Sequence, residues 1–254
     1  MIIRREQFEA MEEIRSGFED SMVAHLKSFT PLHWVSLGEP GVRTLIREGI
    51  KRASAQGFTR FGAVRFYLET VVLLGIGFDH DPQYAALAEA LGDVSSEDQM
   101  TRADRAWDWV MTYLDNVGGH NREHAYRALL KTYEQPPEPQ PVSSPDFEAR
   151  ALQQMRDIHP QKVDFLGEEP LRGLIARAKD EARRFDAETD FGVCLFLGLM
   201  FAVGHRIFED PKYPWVYHTL TNPAITDRDS RISRLYTKSM TYLGYALGRG
   251  RKAE

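Results

Sequence analysis

The chain has 254 residues, of which 43% are hydrophobic and 27% charged, enough for one large or two ordinary domains with a buried core. Its 37 acidic and 32 basic residues give a formal charge of -5, without the basic excess that phosphate-backbone binding requires, so nucleic acid is not expected as a partner. The single cysteine, Cys194, excludes an intrachain disulfide and fits a reducing compartment.

Neither a secretion signal nor a membrane span is predicted. Residues 1–6 lead directly into amphipathic sequence, without the apolar segment of a signal peptide. The apolar run at 61–78 carries Arg65 and Glu69, and the run at 191–204 is shorter than the about 20 apolar residues that a span needs. Both runs are therefore expected to be buried helices of a soluble, cytoplasmic protein.

Apolar residues at three- and four-residue spacing predict helices from the start of the chain. A helix over 6–28 is followed by one over 40–56, and a third over 60–77 is apolar on most sides and should be central. Further helices are expected over 83–91 and 98–117. No stretch alternates with a period of two, so the predicted fold class is all-α.

The sequence then repeats itself at an offset of 129 residues, without a gap. Leu-Gly-Glu at 37–39 returns at 166–168, and Asp-Pro-x-Tyr at 81–84 returns at 210–213. The repeat predicts two tandem copies of one helical bundle, related by a pseudo-twofold rotation. In the second copy, the equivalent helices are expected over 189–206, 213–220 and 227–247.

A proline-rich segment lies between the two copies. It covers residues 135–146, cannot continue a helix and prefers an extended form. We therefore predict a first module over 1–134, a linker over 135–146 and a second module over 147–254. The sequence leaves open whether the modules pack together or stay separate, and it also leaves open the oligomeric state.

Two charged residues, Arg65 and Glu69, stand one helical turn apart in the otherwise apolar third helix. A partly buried ion pair is the simplest interpretation of this spacing. The second copy has Cys194 and Gly198 at the equivalent positions, so the pair also fits a partner-binding groove that has diverged between the copies. Such a groove should be polar in the first half and apolar in the second.

The repeated aspartates Asp81 and Asp210 each precede a proline. Paired aspartates suggest catalysis or metal binding. An Asp-Pro step is also typical of a helix start, where the carboxylate accepts backbone N–H groups and proline loses no donor. We favour capping, because a repeated fold needs its caps twice, whereas an enzyme seldom needs the same acid twice.

His120 and His124 have the spacing that places two imidazoles on one helix face and suits a metal ion. They do not form a His-Glu-x-x-His motif, and no third ligand is evident, so they are only weak metal candidates. A Gly-x-Ser-x-Gly nucleophile motif is also missing from the sequence. We therefore predict no catalytic residue, no cofactor and no enzymatic activity.

A family resemblance centres on the Asp-Pro steps. Residues 78–82 read Phe-Asp-x-Asp-Pro, and the second copy has Asp-Pro at 210–211 and Pro-Trp at 214–215. These residues resemble a family of small helical proteins encoded beside PAAR-domain and other type VI secretion effectors, with the signature Phe-Asp-x-Asp-Pro-x-x-Pro-Trp. The signature is split here, because the first copy has Ala-Ala at 85–86 and the second has Ile-Phe at 207–208.

The resemblance implies an accessory of a secreted toxin that acts inside the producing bacterium. Its partner would be a protein, namely a toxin or effector encoded nearby, which it would serve as a chaperone or adaptor. An immunity protein that neutralises a cognate toxin is the first alternative. A secreted effector or enzyme of another kind is the second.

Overall fold

The computed structural model describes residues 5–135, 139 and 141–249, with side chains from residue 16 onward. Residues 1–4, 136–138, 140 and 250–254, which belong to the predicted modules and linker, lie outside the described residues. Within the described ranges all regular structure is helical and no strand occurs, which confirms the all-α fold class.

Twelve α-helices follow one another in the described part of the chain. They are α1 Arg5–Phe29, α2 Pro31–Ala55, α3 Phe61–Leu74, α4 Ala85–Leu91, α5 Gln99–Tyr113, α6 Glu123–Glu134, α7 Phe147–Ile158, α8 Pro160–Leu166, α9 Glu168–Arg184, α10 Asp190–Val203, α11 Pro214–Leu220 and α12 Arg228–Ala246. Short turns of other helix types lie between them, at Phe78–His80, Pro82–Tyr84, Leu114–Gly118, His120–Arg122 and Ile207–Glu209.

The first half, up to residue 134, is built around the apolar helix α3. Tyr67, Leu68 and Val71 of α3 are at most 1% exposed. Helix α2 packs against both α1 and α3, and α5 covers another side of α3. Because α3 is apolar on most sides, only neighbours on several sides can remove it from water.

The second half, from residue 147, is built around the apolar helix α10. Phe196 and Met200 of α10 are fully buried, and α10 packs against α9 as α3 packs against α2. The bounds of α3 and α10 lie 129 residues apart at both ends, and so do those of α4 and α11. Helices α3 and α10 have 14 residues each, and no helix in the described residues is long and apolar enough to cross a membrane.

The second helix is longer than the predicted helix over 40–56, and a glycine explains the difference. Helix α2 begins at Pro31 and bends at Gly38, whose φ of 62° interrupts the helical conformation. In the second half, the equivalent Gly167, with a φ of 80°, separates α8 from α9. Glycine adopts a positive φ without steric cost, so both halves change direction at the repeated Leu-Gly-Glu.

The central helices are shorter than predicted. The sequence favoured helices over 60–77 and 189–206, whereas α3 ends at Leu74 and α10 ends at Val203. Gly75 and Gly204 follow these ends with φ of 100° and 108°, which no helix accommodates. As a result, the chain leaves each central helix early and carries its Asp-Pro step to the boundary between the halves.

Apolar packing continues from one half into the other. Each half has its own cluster of buried side chains. Phe165 of the second half packs against the first cluster, where its ring meets those of Trp109 and Tyr113. The two halves therefore pack together. The linker also contacts the second half, because the N–H of Val142 donates to the Asp190 carboxylate at 2.9 Å.

Candidate functional site

The two Asp-Pro steps meet at the boundary between the halves. Residues 75–84 of the first half and 204–213 of the second form this boundary, which we name the seam. Asp81 is 2% exposed, and its Oδ1 accepts the N–H of Gln83 at 3.0 Å, as expected of a capping residue. Its other oxygen, Oδ2, accepts the backbone N–H of His205 from the second half at 2.7 Å.

Asp210 makes the matching pair of contacts in the opposite direction. It is 2% exposed, and its Oδ1 accepts the N–H of Lys212 at 2.8 Å. Its Oδ2 accepts the backbone N–H of Ile76 from the first half at 3.0 Å. Ile76 and His205 lie 129 positions apart in the sequence. Each aspartate therefore closes its own turn with one oxygen and binds the backbone of the other half with the second.

Two glycines allow the backbones to approach each other at the seam. A Cβ on Gly75 would lie 2.4 Å from the carbonyl oxygen of Val203, and a Cβ on Gly204 would lie 2.7 Å from that of Leu74. Real Cβ atoms do not come that close to a backbone oxygen. Both positions also have positive φ, so glycine is required there for two separate reasons.

A buried lysine binds the carboxyl end of α3. Lys212 is 3% exposed, and its Nζ donates to the carbonyl oxygens of Val71 at 2.9 Å and Val72 at 3.0 Å. The same nitrogen lies 3.6 Å from Oδ2 of Asp210. A cation is favourable at a helix C-terminus, where carbonyl oxygens lack partners within the helix. Lys212 thus joins the second half to the central helix of the first.

The carboxyl end of α10 is satisfied by two different side chains. Gln83 from the first half donates from Nε2 to the carbonyl oxygen of Met200 at 3.1 Å. Lys162, from α8 of the second half, donates from Nζ to the carbonyl oxygen of Phe201 and is 4% exposed. The ends of α3 and α10 therefore each have one buried lysine, but the two lysines are not equivalent in sequence.

Paired tyrosines border each helix end. The rings of Tyr84 and Tyr113 are 5.6 Å apart, and those of Tyr213 and Tyr242 are 5.5 Å apart. Burial raises the pKa of Tyr84 and of Tyr213 well above the usual range. These hydroxyls stay protonated at any physiological pH and act as neutral neighbours of the buried charges.

Burial also shifts the basic groups near the seam. It lowers the pKa of Lys162 to about 8, while the carboxylate of Asp81 acts in the opposite direction. It lowers the pKa of Lys212, against the effect of Asp210. Burial lowers the pKa of His33 and that of His159 to about 4. The charge of Lys212 adds to this effect at His33, and that of Lys162 adds to it at His159. At neutral pH, Lys162 is therefore mostly protonated and both histidines are neutral.

The other aspartate of the signature, Asp79, is buried within the part of the seam that the first half contributes. It is 6% exposed, and its Oδ2 accepts a hydrogen bond from Nε2 of Gln56 at 2.7 Å. Its Oδ1 and the Tyr67 hydroxyl are both buried. Burial, followed by the charge of Asp79, raises the pKa of Tyr67. Asp79 therefore orders the first half internally and is covered from solvent.

Arg65 and Glu69 form an ion pair, with 2.9 Å between Nε and Oε1. The Glu69 side chain is only 12% exposed, because His25 of α1 lies over it, with Nε2 at 2.7 Å from Oε1. At the equivalent positions, Cys194 is buried, whereas Gly198 is exposed and has nothing within 4 Å of an added Cβ. In the first half, α1 therefore covers the carboxylate that was expected to line a groove.

The expectation that His120 and His124 share one helix face is wrong. His120 lies in the turn His120–Arg122, where Asn121 and Arg122 have positive φ, and α6 begins only at Glu123. Gly119, with a φ of 73°, precedes this turn and ends the helical path. Among the described residues, no group of three or more His, Cys, Asp or Glu side chains is placed to hold a metal ion.

The comparisons with known proteins give no match: no family model, curated protein or solved structure corresponds to this chain. The resemblance to accessories of type VI effectors therefore rests on the signature residues alone. The sequence identified Asp81 and Asp210 but not the groups that meet them, Ile76, His205, Lys212, Gln83 and Lys162. The 129-residue offset could have pointed to these residues, because it aligns Lys162 with His33 and Lys212 with Gln83 in the sequence.

Chemically, the seam is suited to holding two parts of a protein together. The oxygens of Asp81 and Asp210 accept backbone N–H groups, and the buried lysines donate to helix carbonyls. The two aspartates and the two lysines are at most 4% exposed. A carboxylate that is buried and already hydrogen-bonded in this way is a connector, and a substrate would have to separate the halves to reach it.

Proposed function

We propose that this chain is a non-enzymatic, protein-binding accessory of a type VI secretion effector system. It would act in the bacterial cytoplasm as an effector chaperone or adaptor. The resemblance of the signature residues supports the system, and the use of Asp79, Asp81 and Asp210 as internal connectors supports a scaffold rather than a catalyst.

The observation that carries a binding role is an exposed apolar pair on α2. Leu32 is 68% exposed and Val35 is 83% exposed, and the two lie nearly one helical turn apart. At the equivalent positions the second half has Gln161 and Asp164, and Asp164 pairs with a neighbouring arginine at 2.6 Å. The fold therefore does not require apolar side chains at this place, and their presence in the first half points to a partner.

The partner that fits this surface is the apolar side of an amphipathic helix in the effector. Helices recognised in this way contribute apolar residues at three- and four-residue spacing, which matches the spacing of Leu32 and Val35. Covering such a segment until loading would keep its apolar side chains from aggregating.

The test is co-expression of the tagged chain with each toxin or effector encoded beside it, followed by purification of the complex. We expect one stable complex, which is lost in the double variant Leu32→Glu, Val35→Glu. The control is Tyr245→Glu, at a residue of α12 that is 59% exposed, and this variant should retain the complex. Absence of a complex with every neighbouring effector would refute the proposal.

The phenotype of a deletion strain separates a chaperone from an immunity protein. Loss of a chaperone leaves the producing cell healthy but lowers the stability or export of the effector. Loss of an immunity protein leaves the effector stable and makes it toxic to its own producer. Toxicity of the chain itself on expression would favour an effector or enzyme and contradict the accessory role.

We also propose that the halves are tandem copies of one module, related by a pseudo-twofold axis that passes near Gly75 and Gly204. The contacts across the seam support this proposal because they come in pairs at the 129-residue offset. Asp81 binds the His205 amide and Asp210 binds the Ile76 amide. The matching helix bounds support the same proposal.

A further inference from the structure

We propose that the contact between the halves is acid-sensitive: protonation of two neutral histidines, His33 and His159, loosens the seam. Such a device would operate whatever partner the chain binds. Each of the two rings has a buried lysine as a neighbour.

His33 joins the start of α2 to the second half. Its Nδ1 is 2.5 Å from the hydroxyl of Thr30, and its ring and that of Tyr213 form a T-shaped contact, with 5.9 Å between the centroids. Its Nε2 is buried and has no hydrogen-bond partner among the described residues. Lys212 and Asp210 are the charged groups that act on this ring. A second proton on His33 would therefore create a buried positive charge beside Lys212. The nearby carboxylate of Asp210 already accepts two backbone N–H groups.

His159 stands at the amino end of α8 and is 8% exposed. Its Nδ1 accepts the backbone N–H of Lys162 at 3.4 Å, so that nitrogen carries no proton. Protonation would remove a cap and place a positive charge at the positive end of the helix dipole. The ring also lies near the ammonium group of Lys162 and near His124 of the first half, which both oppose a further positive charge.

A third histidine at the seam has a carboxylate beside it. Nδ1 of His205 lies 3.2 Å from Oδ2 of Asp81. His33 and His159 instead have lysines as neighbours.

The direction of the pH effect follows from the pKa values. Both rings have a pKa of about 4 in the closed protein, and exposure to water returns a histidine to about 6.5. Because the closed-state value is depressed, the contribution to closure is complete above pH 6.5 and is lost as the pH falls towards 4. At pH 5.5, opening should be favoured about tenfold by each histidine, or about a hundredfold by the two together.

The experiment is hydrogen exchange of the full chain at about pH 7.5 and about pH 5.5, with each rate corrected for the intrinsic pH dependence of exchange. The amides of Ile76 and His205 report on the seam, because they donate to Asp210 and Asp81. Leu45 in α2 and Leu174 in α9 report on the interior of each half. We expect protection of the seam amides to fall about a hundredfold and that of the interior amides to fall much less. An equal fall in all four would indicate general acid unfolding and overturn the proposal.

Substitutions of His33 and His159 test whether these two side chains cause the pH dependence of exchange at the seam. His33→Gln and His159→Asn remove the titrating groups, and asparagine can still accept the N–H of Lys162. The double variant should lose most of the pH dependence at Ile76 and His205, whereas His218→Gln, at an exposed position of α11, should retain it. Unchanged pH dependence in the double variant would refute the assignment. Should the double variant fold poorly, each single variant is expected to lose about tenfold of the effect.

Discussion

The carboxyl ends of α3 and α10 are satisfied by the same kinds of group from different positions. At α3, Lys212 comes from the opposite half, and the nearby position 33 holds a neutral histidine. At α10, the opposite half contributes Gln83, and Lys162 of the same half supplies the cation. Each end has one lysine and one aspartate. The comparison indicates that each helix end requires a cation beside its carbonyl oxygens, but that different sequence positions can supply that cation.

The largest effect is expected at the glycines where the halves touch. Gly75→Ala would place a methyl group 2.4 Å from the carbonyl oxygen of Val203 at a φ of 100°. Backbone strain and overpacking together should lower the free energy of unfolding by about 3 to 5 kcal/mol. Denaturant titration of Gly75→Ala and Gly204→Ala measures both losses. If the ends are equivalent, the two losses agree; a neutral Gly75→Ala would contradict the close approach.

The aspartates should come next. Loss of a cap alone costs about 0.5 to 2 kcal/mol, and each seam aspartate also satisfies a buried N–H of the other half. We therefore expect Asp81→Ala and Asp210→Ala to lower the free energy of unfolding by about 3 kcal/mol each.

An exposed cap within one half provides the control for the aspartate prediction. Asp98 accepts the N–H of Met100 at 2.9 Å and pairs with Arg60 of the same half at 2.9 Å, but it contacts no described residue of the other half. Asp98→Ala should therefore cost less than either seam substitution in the same thermal or denaturant assay. Equal losses at Asp81, Asp210 and Asp98 would show that the bonds across the seam add nothing.

A further prediction concerns the sequence position that supplies the lysine at the end of α3. It is tested by removing Lys212 and placing a lysine at position 33. Lys212→Gln should lower the free energy of unfolding by about 2 kcal/mol, because Asp210 loses its cation and α3 loses part of its cap. Adding His33→Lys to that variant supplies the cation from the position equivalent to Lys162 and should restore about half of the loss. His33→Lys alone should be destabilising. Strictly additive effects in this double-mutant cycle would contradict the equivalence of the two helix ends.

The smallest change in stability is expected at a pair of equivalent positions in α3 and α10 that lie away from the seam. Gly198→Ala in α10 has open space around the new methyl group and replaces a poor helix former, so we expect a gain of about 0.5 to 1 kcal/mol. At the equivalent position of α3, Glu69→Ala would remove the partner of Arg65 and His25 and should be destabilising. Opposite signs in thermal melting would show that the two faces have diverged; equal signs would refute the difference.

Much of the fold could be predicted from local pattern. The predicted helix over 83–91 is observed as Ala85–Leu91, and that over 213–220 as Pro214–Leu220. The helix over 227–247 is observed as Arg228–Ala246, with Asp227 accepting the N–H of Ser230. These helices could be predicted because a helix cap and an apolar helix face are determined by residues within a few turns of each other.

The sequence by itself determined the all-α class, the 129-residue offset and the local bonds in which Asp81 and Asp210 accept the N–H two residues further on. Only the tertiary structure decided where the second oxygen of each aspartate points. Those bonds join residues 124 and 134 positions apart, so no local period or spacing contains them. They exist because α3 and α10 end early at glycines, so the two backbones meet and a carboxylate of each half accepts a buried N–H group of the other.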